Sequence, residues 1–117
     1  MTFQPLRITV TNSALWIRIV ILTVAMELLT VGMRFGFQLE STRDTASTIG
    51  LITNGLRVHH GYCGVLLLAT AWGMSQTHRK LASISYLAGW PLLFSDAIHH
   101  FLVLWPITGS AQFDFFY

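Results

Sequence analysis

The sequence predicts an all-α integral membrane protein with three transmembrane helices, the second and third forming an antiparallel hairpin and the third kinked by proline. Three observations carry this expectation. Of 117 residues, 53% are hydrophobic and only 10% are charged, whereas a soluble domain carries about a quarter charged residues. The charges leave tracts approaching the roughly 20 apolar residues that a helix needs to cross a hydrocarbon core of about 30 Å. One of the connections between these tracts is so short that its flanking helices must be antiparallel neighbours.

Segment one spans about 14–37, with Asn12 and Ser13 as N-caps and Arg18 close enough to its end to snorkel. A Ser- and Thr-rich loop over 38–54, containing Glu40, Arg43 and Asp44, covers one membrane face. Segment two spans about 56–74, and the turn at 76–80 carries His78, Arg79 and Lys80. Segment three spans about 81–104. Pro91 inside it cannot donate to the Leu87 carbonyl and so favours a kink. The tail ending in Phe113, Phe115, Phe116 and Tyr117 is too short to span and reads as an interfacial anchor, and Trp16, Trp72 and Trp105 suit the same belt. The chain is expected to form a single membrane domain over 1–117, integral and multi-pass.

Composition also excludes some functions. The pI of about 9.1 comes from seven Lys and Arg against five carboxylates with no basic stripe, which argues against nucleic-acid binding. Cys63 is the single cysteine, so no intrachain disulfide forms. The first apolar run begins late, carries Arg18 and Glu27, and lacks a small-residue cleavage pattern, unlike a cleavable signal. Arg7, Arg79 and Lys80 fall on one side of the membrane and Arg34, Arg43 and Arg57 on the other. The acid-free Arg79 and Lys80 pair tips the orientation toward an amino terminus inside.

Counting outward from the turn locates the chemistry. In an antiparallel hairpin, residues equally distant from the turn lie at equal depth, because each rises about 1.5 Å along its helix. His59 and His60 therefore lie level with His99 and His100, and Asp96 lies one turn deeper on the face of those two histidines. Adjacent histidines point about 100° apart, so one of each pair is expected to face the site. The stripe through Ser85, Gly89 and Leu92 on segment three, and His60, Gly64 and Ala71 on segment two, holds small residues that let helices approach closely. On segment one, Thr23, Glu27 and Thr30 form a polar face with Arg34 one turn further, which places Glu27 near the depth of Asp96.

Ionisable side chains inside hydrocarbon cost about 2.5–3.5 kcal/mol on insertion scales and usually mark pairing or function. His59, His60, Asp96, His99 and His100 are thus candidate metal ligands, with Glu27 as a catalytic or ligating carboxylate and Cys63 a lesser soft donor. Such a mixed shell suits zinc, iron or manganese and points to a metal-dependent hydrolase, an oxygenase or a metal-binding subunit. A second reading is a haem b or chlorophyll-type subunit in electron transfer, one histidine from each helix ligating a macrocycle beside Gly61, Gly64 and Gly89. A third is a structural or assembly subunit. Each reading expects the lipid bilayer as partner, with a homo-oligomer or a larger membrane complex.

Overall fold

The computed structural model describes residues 13–117; Asn12 and Arg7, which enter the sequence reading as a cap and a flanking charge, lie outside them. Helix α1 (Ser13–Val31) runs into a π-helical turn, Gly32–Gly36, closed by the Phe37 N–H on the Gly32 carbonyl at 3.1 Å. Thr23 and Thr30 satisfy their hydroxyls within their own helix, donating to the Ile19 and Met26 carbonyls at 2.7 and 2.8 Å. Arg34 pairs with Glu40 at 2.7 Å.

The loop expected over 38–54 contains two one-turn helices, α2 (Ser41–Asp44) and α3 (Ile49–Ile52). Arg43 donates to the Gln38 carbonyl and to Asp44, and its hydrogen bonds, aided by the Glu40 N–H, hold the Asp44 carboxyl below its ordinary range. Asn54 and Gly55, at φ 56° and 85°, turn the chain into an extended segment.

That segment changes the second span. Leu56 forms an isolated antiparallel bridge with Phe116, and the Arg57 N–H donates to the Phe115 carbonyl at 2.8 Å, so helix α4 begins only at His60. It runs His60–Met74, 15 residues, or about 22 Å of rise, short of a bilayer core. Among the described residues two helical spans, Ser13–Gly36 and Arg79–Thr108, are long and apolar enough to cross a membrane, not the three expected.

Helix α5 (Arg79–Ile98) runs unbroken through Pro91, continues as a π-helical segment, His99–Leu104, and ends in α6 (Trp105–Thr108). Gly109 adopts φ 78° and closes the helix by donating to the Trp105 carbonyl at 2.9 Å, a left-handed cap that glycine reaches without strain. Helices α4 and α5 form the expected antiparallel hairpin. A Cβ on Gly64 would stand 2.7 Å from the Gly89 carbonyl oxygen, and one on Gly89 would stand 2.8 Å from Leu68, so glycine lets the two backbones touch. Among the described residues the structure is all-α, with no strand.

The burial pattern is inverted relative to a water-soluble domain. Ile17, Val20, Ile21, Leu28 and Leu29 on α1 and Leu66, Trp72 and Leu102 elsewhere are exposed, while Thr23, Ser85, Ser95, Asp96, His99 and His100 are buried. Polar residues thus share the interior with a few apolar ones such as Ile19 and Leu104, while most large apolar side chains face outward.

Candidate metal centre

His59 and His60 straddle the start of α4. His59 is its extended N-cap residue, with φ −94° and ψ 144°, and His60 is the first helical residue. Because His59 is not helical, the 100° separation of neighbouring helical side chains does not apply. Both rings reach Asp96, with His60 Nδ1 at 3.2 Å and His59 Nδ1 at 3.9 Å from Oδ1. Across the hairpin, His100 Nε2 lies 3.7 Å from the same oxygen and 3.0 Å from His59 Nδ1. The equal-depth count thus brings the two histidine pairs together.

His99 and His100 also both face protein, for a different reason. They open the π-helical segment of a helix flanked by α4 on one side and α1 on the other. His100 reaches His59 at the start of α4, while His99 Nδ1 lies 3.0 Å from Glu27 Oε1 on α1. Ser95, fully buried one turn before His99, donates to Glu27 Oε2 at 3.1 Å. Glu27 therefore faces α5 rather than Arg34.

The trio His59, Asp96 and His100 offers one ligand atom each, all within 4.8 Å of one another and all from buried residues. Its chemistry follows from what lies behind each ring. His59 Nε2 stands 3.0 Å from the Asp114 carbonyl oxygen and His100 Nδ1 stands 2.8 Å from that of Ala111. A carbonyl can only accept, so each of those nitrogens bears the proton, and on a neutral ring the other nitrogen is a bare lone pair. His59 Nδ1, His100 Nε2 and Asp96 Oδ1 are then three acceptors converging with no hydrogen among them. Asp96 Oδ1 receives no hydrogen bond, and neither does His60 Nε2, although both are buried. Such a group is repulsive alone and costly to bury. It becomes attractive when a cation sits among the lone pairs.

The separations match that demand. Ligand atoms about 2.0–2.1 Å from a tetrahedral ion stand about 3.3 Å from one another, and the three edges here are 3.0, 3.7 and 3.9 Å. Imidazoles that bind metal through one nitrogen and donate to a carbonyl through the other are the usual arrangement. His60 Nδ1, expected to face His99 or His100 across the hairpin, instead lies beside Asp96 Oδ1 at 3.2 Å and outside the trio. His99 turns instead toward Glu27 on α1 and lies outside the trio, and Cys63 is exposed.

The space that a macrocycle would need is filled. The notch at Gly61 holds the Asp96 side chain, that at Gly64 holds the Gly89 carbonyl and Leu92, and that at Gly89 holds Leu68. The glycines serve helix contact, which leaves no slot for haem there.

Three contributors are not assigned to the site by the sequence: Ser95, Phe113, which reads only as part of an interfacial anchor, and the tail carbonyls. The tail expected as an interfacial anchor instead folds back over the histidines. Phe113 stacks on His59 with centroids 4.4 Å apart at 20°, and the Tyr117 N–H reaches the Gly55 carbonyl at 3.0 Å. Ser95 was legible as the residue four before His99; backbone carbonyls leave no such mark.

A cavity of about 400 Å³ opens beside the cluster, with Met26, Met33, Arg34, Arg57 and Leu104 among its other walls. No protein-family model, curated protein or solved structure matches this chain.

Proposed function

We propose that this chain is a membrane-embedded metal-binding protein whose His59, Asp96 and His100 hold one ion of the zinc, iron or manganese group, with His60 as a fourth donor. The observation that carries the reading is the convergence of three acceptors whose tautomers are set by the Asp114 and Ala111 carbonyls. Two imidazoles and a carboxylate are the donor set of hydrolytic zinc sites and of non-haem iron sites. A bound ion of this kind supplies a Lewis acid, able to activate water beside the cavity.

Support for the bilayer comes from the inverted burial and the two long apolar spans. Contiguous exposed apolar surface on this scale is rare on soluble monomers, and a buried polar interior with small-residue helix contacts suits lipid as solvent. Helix α1 runs parallel to α5, since Glu27 meets Ser95 and His99 while Met33 and Arg34 share a cavity with Leu104. Two parallel spans require a return between them, which α4 and its flanking segments provide.

The test is metal analysis with a visible spectrum on protein purified from membranes. One equivalent of zinc, iron or manganese without a Soret band is the expected result. Protein that stays metal-free after incubation with each ion overturns the reading and leaves a shared proton as the cation between His59 and His100.

A further inference from the structure

Resting on the metal site just proposed, the geometry points to a ligand class: we infer that the centre takes a single-chain amphiphile, its oxygen-donor head at the metal and its apolar chain running out past α1. The cavity holding the cluster has two unlike walls. One carries the imidazoles and Asp96; the α1 side is built by Met26, Leu29 and Met33 with Leu39, and Glu40, Asp44 and the two arginines stand at the loop end between them. Its volume of about 400 Å³ lies within the range of small-molecule sites, where apolar walls meet a few placed polar groups.

The mouth is apolar on its α1 side. Leu29 and Met33 line the cavity, yet they are 58% and 44% exposed, so the same side chains face both the cavity and the outer surface of α1. The opening therefore lies along the stripe of α1 that continues to the exposed Leu22, two turns before Leu29, on the lipid-facing side of the span. A solute entering there arrives from the acyl region, and an apolar chain left in that opening stays out of water.

The head follows from charge. A divalent ion held by the Asp96 carboxylate and neutral imidazoles keeps one positive charge. The cavity's arginines are already matched, Arg34 with Glu40 at 2.7 Å and Arg57 with Asp114 at 3.5 Å. An anionic oxygen donor on the ligand meets the remaining charge at the ion.

The experiment uses the full chain in lipid nanodiscs, loaded with cobalt(II), whose visible absorption reports its own ligands. Acetohydroxamic and decanohydroxamic acid present the same chelating head on a short and a long chain. Decanohydroxamate is expected to bind at least about tenfold more tightly, a difference of about 1.4 kcal/mol. Leu29→Trp and Met33→Trp, which fill the mouth, should remove most of that advantage while leaving the cobalt spectrum of the ligand-free protein unchanged. Equal affinity for the two acids overturns the inference, as does an advantage of the same size in the Trp variants, which would reflect partition into the bilayer alone. Failure of cobalt to bind at all overturns the metal reading, and the inference with it, and is distinct because no ligand-field absorption appears.

Discussion

His59 Nδ1 and His100 Nε2 face each other at 3.0 Å from opposite arms of a helical hairpin, each ring backed at its other nitrogen by a carbonyl oxygen. Two lone pairs at that distance require a cation between them. Asp96 Oδ1, at 3.9 and 3.7 Å from the same atoms, adds a carboxylate oxygen, so that the three together could hold a metal ion.

Removing any of these three acceptors should therefore release metal without ejecting the helices. His59→Ala, His100→Ala and Asp96→Asn are each expected to lower bound metal by about an order of magnitude or more, measured by elemental analysis after dialysis. Insertion depends on apolar length, so membrane extraction and helical circular dichroism should be unchanged. His60→Ala removes a donor outside the central trio and should weaken binding less than the other three. Metal retained at full stoichiometry in His100→Ala would remove that ring from the site.

Gly61 and Gly73 share helix α4 and give an internal control. A Cβ on Gly61 would stand 2.5 Å from Asp96 Oδ2 and 2.9 Å from Asp96 Cβ, whereas one on Gly73 meets nothing within 4 Å. Gly61→Ala should cost about 1–3 kcal/mol through overpacking and should displace the carboxylate. Gly73→Ala should stabilise by about 0.5–1 kcal/mol through helix propensity. Thermal unfolding in detergent, read beside metal content, separates the two.

How far the sequence made this site legible depends on what placed each part. The facing of His59 and His60 with His99 and His100 follows from arithmetic on the short turn, and the helix contact from Gly64 and Gly89, since both are fixed by local helical geometry. The start of α4 at His60 was not legible. Leu56 and Arg57 are held extended by Phe115 and Phe116, a pairing nearly sixty residues apart along the chain, while hydropathy alone continued the helix through them. The engagement of both His99 and His100 was hidden for a related reason: it depends on α5 lying between two partners.

Glu27 accepts from Ser95 and lies against His99 Nδ1, which separates the effects of two substitutions. Glu27→Gln keeps an oxygen for the imidazole N–H and an amide that can donate to Ser95 Oγ, so folding should be retained. Glu27→Ala leaves the Ser95 hydroxyl and the His99 N–H without their partner in a buried site and should cost about 1–3 kcal/mol. Equal stability of the two variants in detergent unfolding would show that this pairing contributes nothing. Because His99 neighbours His100, weaker metal binding in the Ala variant but not in the Gln variant would assign Glu27 a positioning role.

The carboxy-terminal tail contributes no side-chain ligand, yet it should govern metal affinity. Ala111 and Asp114 supply the carbonyls that set the tautomers of His100 and His59, and Phe113 stacks on His59 at 4.4 Å. Truncation after Ser110 removes all three contacts while leaving α1, α4 and α5 intact. Without the carbonyls, each ring is free to place its proton on the nitrogen that faces the ion, and metal must then displace it. Loss of such supporting hydrogen bonds typically lowers metal affinity about 10–100-fold. Phe113→Ala keeps the carbonyls and loses only the stack, so it should fall between the truncated and intact chains. Competition with a chelator measures the order directly, and truncated protein that binds metal as tightly as the intact chain would show that the hairpin alone fixes the rings.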